Sequence, residues 1–333
     1  MMRLLGVELT RLRCRRAVLV LLVAMLALPV VIGVITLVDQ EPLGPDAYEQ
    51  AEVLAAEEAR QPYVQQGIDD CVRYADEYGI TGPDAEVLEQ CTSMNTPTAD
   101  QFVDYDPLDL ATARDDGGLA VAVVLGMLAM LVGATFAGHD WNTGSMSNQL
   151  LFEPRRGRVW TAKALAVVLG TGTVALVAST VFWLMLAARF WVDDIAIPDG
   201  VLLDSLQQGW RGAGVAAAGA LGGYAITMLS RSTVFTIGLL FGVAVAGAIL
   251  LGLLVDDRGP VDPAINAQAV IQDGTDYFVP VPESCYTEMS AEPRPECVEQ
   301  RRRSLNGGLL HLGLLTVVAT GASVVSFRRR DVP

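Results

Sequence analysis

A single lysine, Lys163, stands among 23 basic residues, and that scarcity removes one class of function at once. A P-loop nucleotide site needs G-x-x-x-x-G-K-[ST], because backbone amides cradle the phosphates and the lysine reaches them. Lys163 follows Ala162, so no such loop is present. Histidine is equally sparse: His139 and His311 are the only two, far apart, and neither lies in H-E-x-x-H or near a C-x-x-C pair. Those are the spacings that put zinc ligands on one centre. No serine stands at the middle of G-x-S-x-G, the turn that exposes a hydrolase nucleophile. Catalysis within the chain is therefore not expected, nor is a cofactor or metal of its own.

What is abundant is apolar surface. Of the 333 residues, 52% are hydrophobic, more than one soluble domain can bury. A helix needs about 20 apolar residues to cross a hydrocarbon core of roughly 30 Å. Six stretches meet that length: 17–38, 117–138, 160–188, 206–229, 233–255 and 307–327. The fourth is the weakest, with Arg211 in its first turn. The first resembles a secretory signal, since Arg11, Arg13, Arg15 and Arg16 precede it, but its apolar run is too long and no small-x-small cleavage site follows closely. Mid-span acids and histidines, costly in lipid and characteristic of ion-coupled carriers, are nearly absent. His311 and Arg211 lie near span ends and read as packing or interfacial residues.

Basic clusters fall at 3–16, 155–163, Arg231 and 328–330. Six spans put all four on one side, which the positive-inside rule makes cytoplasmic, with both termini inside. Residues 39–116, 189–205 and 256–306 are then outside; 1–16, 139–159, 230–232 and 328–333 are inside. Arg301, Arg302 and Arg303 dissent, preceding the last span on the outer face. The first outer segment carries roughly twenty acids against Arg60, Arg73 and Arg114, a composition suited to a translocated region. Helix formers at 45–60 and 67–78, and PDAEVLEQ from Pro83, predict a small helical insertion there.

The cysteines follow the same division: Cys71 and Cys91 share the first outer segment, Cys285 and Cys297 the last, and Cys14 alone is inside. Four cysteines allow three pairings; the simplest is Cys71 with Cys91 and Cys285 with Cys297, the alternative being free thiols.

The central inner segment reads GHDWNTGSMSNQLLFEPRRGRVWTAK from Gly138. Asn142 or Thr143 can cap a short helix with Met146, Leu150 and Leu151 on one face, and Pro154 restricts Glu153 and stops it. Arg155, Arg156, Arg158 and Lys163 form a basic collar suited to phospholipid headgroups. At the amino terminus Leu5, Leu9 and Leu12 follow i, i+4, i+7 spacing with Arg11 and Arg15 elsewhere around the helix, an interfacial amphipathic pattern. Gly219 with Gly223 and Gly238 with Gly242 have the spacing that lets membrane helices approach closely.

Acid-x-x-x-Gly-[Ser/Thr]-apolar, followed by Leu-Leu, Pro, Arg and Lys, resembles the segment between the second and third spans of ABC-2 type transporter permeases. The long cysteine-bearing first outer segment is similar to one actinobacterial-looking subgroup. The resemblance implies an all-α integral membrane protein of six spans in the plasma membrane, whose central segment is a coupling helix docked on a separate ATPase subunit. It places Asp140 at the position usually held by glutamate, Gly144 and Ser145 at the Gly-Thr pair, and Pro154, Arg156 and Lys163 at the closing positions. Asn142, Met146, Gln149 and Leu150 complete the expected coupling residues. The implied partners are two ATPase copies carrying ATP and magnesium, a second permease copy or paralogue, and membrane lipid, with no nucleic acid; the cargo stays open. A membrane-anchored sensor or accessory subunit built around the acidic ectodomain is the alternative, and an ion-coupled carrier the third.

Overall fold

The computed structural model describes residues 1–39, 45–80, 82–102, 109–192, 196–255, 257–281, 285 and 297–330. Six helices among them are long and apolar enough to cross a membrane, an architecture consistent with a helical membrane protein. The chain divides into two compact units, one of Met1–Ile35 with Asp109–Pro333 and one of Thr36–Leu108.

The larger unit begins with α1, Met2–Cys14, which ends where Arg15 turns extended, and α2, Arg16–Asp39, follows. The buried side of α2 is a stripe at Val18, Leu22, Met25, Pro29 and Gly33; Gly33 faces Phe182 and Met185. In the smaller unit, α3 is Pro45–Glu58, α4 Pro62–Arg73 and α5 Asp84–Asn95. Proline at its first position starts α4, and Val64, Ile68 and Cys71 bury at i, i+4, i+7. A disulfide joins Cys71 to Cys91, with Ile80, Val87 and Ala75 packed around it. The bond closes a loop of sequence separation 20, which stabilises such a unit by about 3 kcal/mol.

The chain re-enters the larger unit at α6, Leu110–Ala113, capped by Asp109, whose carboxyl is held below the usual range by hydrogen bonds from the Thr112 and Ala111 amides. A π-helical turn, Arg114–Gly118, leads into α7, Leu119–Asn142, and Gly118 accommodates the buried Trp183 ring. Then come α8, Ser145–Phe152; α9, Arg156–Val192; α10, Val201–Ser230; and α11, Thr233–Leu254. After α12, Pro263–Gln272, strand β1, Thr275–Phe278, pairs antiparallel with β2, Gln300–Arg303, before α13, Leu305–Arg329.

Four of the six spans, α2, α9, α10 and α13, exceed their expected bounds at both ends; α7 begins two residues late and runs four further, and α11 stops one residue short. Gly200, in left-handed conformation at φ 86, starts α10 earlier than residue 206. Arg211 consequently lies in the third turn, where it pairs with Asp273 at 3.0 Å. The two-stranded hairpin corrects the all-α expectation locally and accounts for the dissenting arginines. Arg301 pairs with Asp257 at 2.6 Å, Arg302 stands opposite Asp276, and Arg303 donates to Asn266 at 2.9 Å. Burial pushes the Asp257 carboxyl up, but hydrogen bonds from Tyr277 and Arg301 and the Arg301 charge outweigh it and hold the group low. The Cys285–Cys297 disulfide is present in the same region. Parts of the expected outer segments at 40–44, 81, 103–108, 193–195, 256, 282–284 and 286–296, and of the tail at 331–333, lie outside the described residues.

Packing centres on α7 against α10. A Cβ at Gly133 would lie 1.9 Å from the Ala220 carbonyl oxygen, and one at Gly223 would lie 2.2 Å from that of Met130, so the two backbones touch. Gly219 and Gly223 therefore serve a seam inside the chain, whereas Gly238 and Gly242 face open space. Gly133→Ala is expected to destabilise by about 1–3 kcal/mol through overpacking. Gly126→Ala, on the same helix with nothing within 4 Å of its Cβ, is expected to be neutral or to gain up to about 1 kcal/mol. Thermal unfolding in detergent of the two variants checks that opposition of sign.

Candidate functional site

The most concentrated chemistry in the larger unit lies where α1, α7, α8 and α9 meet. The buried residues of α1 are Glu8 and Leu12, one turn apart; Leu5 and Leu9 are only half-buried, which corrects the expected leucine face. Across from Glu8, α9 presents Lys163. Its Nζ donates to Glu8 Oε2 at 2.8 Å and to Asp140 Oδ2 at 2.6 Å, and all three side chains are 0% exposed.

The other carboxylate oxygens are also partnered. Arg15, at the bend between α1 and α2, pairs through Nη2 with Asp140 Oδ1 and donates through Nη1 to the Phe136 carbonyl. Gln149 of α8 donates to Glu8 Oε1 at 2.6 Å, and Arg11 donates to Gln149 Oε1 at 3.0 Å and to Glu8 Oε1 at 3.3 Å. The Phe136 ring lies beneath both cations, 4.5 Å from the Arg15 guanidinium and 5.4 Å from Lys163 Nζ. Two acids are thus balanced by Lys163 and Arg15, with Arg11 on the rim at 36% exposure. A buried ion pair repays its desolvation only when its hydrogen bonds are complete; removing one partner from such a set costs about 3–5 kcal/mol.

The expected coupling residues divide around this cluster. Asp140, Gln149 and Lys163 come together in it, and Met146 is fully buried alongside. Lys163 is thereby corrected: it faces the interior, not headgroups. Asn142 is the last residue of α7 and Thr143 its C-cap, its hydroxyl bonded to the His139 carbonyl at 2.8 Å. Neither caps α8. That position belongs to Gly144, left-handed at φ 68, which joins the two helices and leaves Ser145 as the first residue of α8. Leu150 is half-buried, whereas Leu151 and Phe152 are 80% and 91% exposed, so Leu151 does not share the Met146 face. Glu153 is extended ahead of Pro154, which ends α8 as expected. Arg156 turns away, donating at 2.5 Å to the Arg330 carbonyl and thereby tying α9 to the end of α13. His139 is exposed, and His311 lies in α13, outside the cluster.

Glu8, Arg11 and Arg15 are the cluster members that periodicity missed. The available signal was electrostatic: Glu8 is the sole acid before Asp39, set in a basic and apolar segment with arginines three and seven positions on. No protein-family model, curated protein or solved structure matches the chain.

Lys163→Met removes the cation shared by Glu8 and Asp140 and is expected to destabilise by about 3–5 kcal/mol. Adding Glu8→Gln should make the double variant less unstable than the sum of the singles, by about 0.5–3 kcal/mol. Unfolding midpoints of the four proteins measure the coupling. Limited trypsinolysis at Arg155, just past α8, should accelerate in Lys163→Met as α8 loosens.

Proposed function

We propose that the chain is the membrane-spanning permease subunit of an ATP-driven ABC exporter, set in the plasma membrane with both termini cytoplasmic. A separate ATPase subunit would bind the nucleotide. The observation that carries this reading is the buried cluster joining α8 to α1, α7 and α9 through Glu8, Asp140, Gln149 and Lys163. A permease driven by an external motor needs no catalytic residue; it needs a short exposed element that cannot move without moving the spans. α8 has that character. Its inner side is held by Met146 and Gln149, and its free end presents Leu151 and Phe152.

In this reading the ATPase grips that apolar tip, and closure around ATP pushes α8, which carries α7 and α9 as rigid elements. Two ATPases and a second permease copy or paralogue complete the assembly, with the cargo path between permeases. Export is the direction implied by the resemblance of the central segment. An accessory protein built around the acidic unit would need neither the exposed tip nor its anchorage.

Leu151→Asp/Phe152→Asp is expected to insert normally and to lose the ATPase on co-purification in mild detergent. The expected weakening is roughly thirtyfold or more, the scale of a truncated interface hot spot. A wild-type chain that retains no ATP-binding partner favours the accessory alternative. Ser147→Cys should label from the cytosolic side alone; labelling only from outside contradicts the topology and the function with it.

A further inference from the structure

Close to the cluster, the same end of the larger unit holds a second group of cations with the opposite character. A cavity of about 540 Å³ is lined by Arg155, Arg158, Thr161 and Arg328, with Gly157 in its wall. A Cβ at position 157 would stand 2.7 Å from Arg328 Nη2, so glycine is what allows that guanidinium to lie on the first turn of α9. This turn contains no acid, and among the described residues no carboxylate lines the cavity. Arg156, the remaining arginine of the group, is engaged with carbonyls at the end of α13. Three guanidinium groups and the positive end of a long helix therefore converge without counter-charge, an arrangement that favours an anion.

The surface leading away from the cavity identifies the kind of anion. On α9, Arg158, Thr161, Leu165 and Leu169 recur at helical spacing along one face, and both leucines are exposed, at 39% and 49%. On α13, Arg328, Val325 and Val318 do the same, with both valines exposed. Two exposed apolar stripes thus descend from one arginine-walled cavity. The helices are tied together beside it by Trp160 Nε1 donating to Ser323 Oγ at 3.1 Å. A soluble phosphate would use the cavity and leave the stripes idle; an amphiphile uses both.

We infer that this cavity is a binding site for one anionic phospholipid, its net-negative phosphodiester between Arg155, Arg158 and Arg328 and its acyl chains on the Leu165/Leu169 and Val325/Val318 stripes. The inference rests on the six long helices lying in a bilayer and not on the chain's working with an ATPase, so the two can fail separately.

The test is retention of lipid by the full chain extracted from equimolar vesicles of phosphatidylglycerol and phosphatidylcholine, read by native mass spectrometry. Wild type should keep phosphatidylglycerol over phosphatidylcholine by roughly tenfold or more, the scale of a few arginines near an anionic headgroup. Arg155→Gln/Arg158→Gln/Arg328→Gln should fall to parity, while the corresponding lysine triple variant keeps most of the preference. Parity in the wild type overturns the inference, whatever the variants do. So does a glutamine triple variant that keeps its preference, or one that loses only the co-purifying ATPase. Displacement of the retained lipid by inorganic phosphate or glycerol phosphate would assign the cavity to a soluble anion and overturn it equally.

Discussion

Lys163 is the interaction on which the rest of this end of the molecule depends. From α9 it bonds simultaneously to Glu8 of α1 and Asp140 of α7. Apolar side chains of similar volume could fill the same space at comparable stability, because burying ions gives back in desolvation much of what their attraction contributes. They would leave helix rotation loosely determined. A lysine that must meet two carboxylates, one of them also held by Gln149 and the other by Arg15, admits only one rotation of each helix. The network therefore specifies geometry more than it adds stability, and it fixes α8 against α1, α7 and α9.

The glycine seam between α7 and α10 extends that rigidity along the spans. Direct backbone contact at Gly133 and Gly223 leaves no intervening side chains to repack, so displacement at the Asp140 end of α7 is passed on to α10. By contrast, none of the apolar window of α11 is buried within the chain among the described residues. The larger unit thus combines a stiff part, containing α7, α9 and α10, with a long helix that touches α7 and α10 through Thr233 and Thr236 and whose apolar window the described residues leave uncovered.

What could be read in advance follows from the range of each signal. Span number and cysteine pairing depend on local hydropathy and on which loop a residue occupies, and six long apolar helices and both disulfides are found. The ionic cluster depends on contacts across a sequence separation of 155 between Glu8 and Lys163, which no periodicity encodes. Positive charges near span ends usually face headgroups, the environment that local sequence predicts for Lys163; buried acids on two other helices reverse it. The turn before α8 failed differently. Asn142 and Thr143 are good N-cap residues, and Gly144 a good helix terminator, so two rules competed for adjacent positions. The glycine decided it: left-handed at φ 68 directly after the Thr143 C-cap, Gly144 ends α7 and turns the chain into α8.

The two cation groups at this end differ in the acids within reach, not in their own chemistry. The chain has 38 acids against 23 bases, so carboxylates are not scarce overall. They are concentrated in the segments that follow the first and fifth spans, and near α8 the described acids are Glu8, Asp140 and Glu153. Glu8 and Asp140 are committed inside, to Lys163, Arg11 and Arg15. Arg155, Arg158 and Arg328 are consequently left with one another around a cavity that, among the described residues, has no acid in its wall. All three are exposed, so water and salt screen their mutual repulsion, and an anionic headgroup placed among them would relieve it further. The same distribution that seals the inner network thus leaves the rim positive.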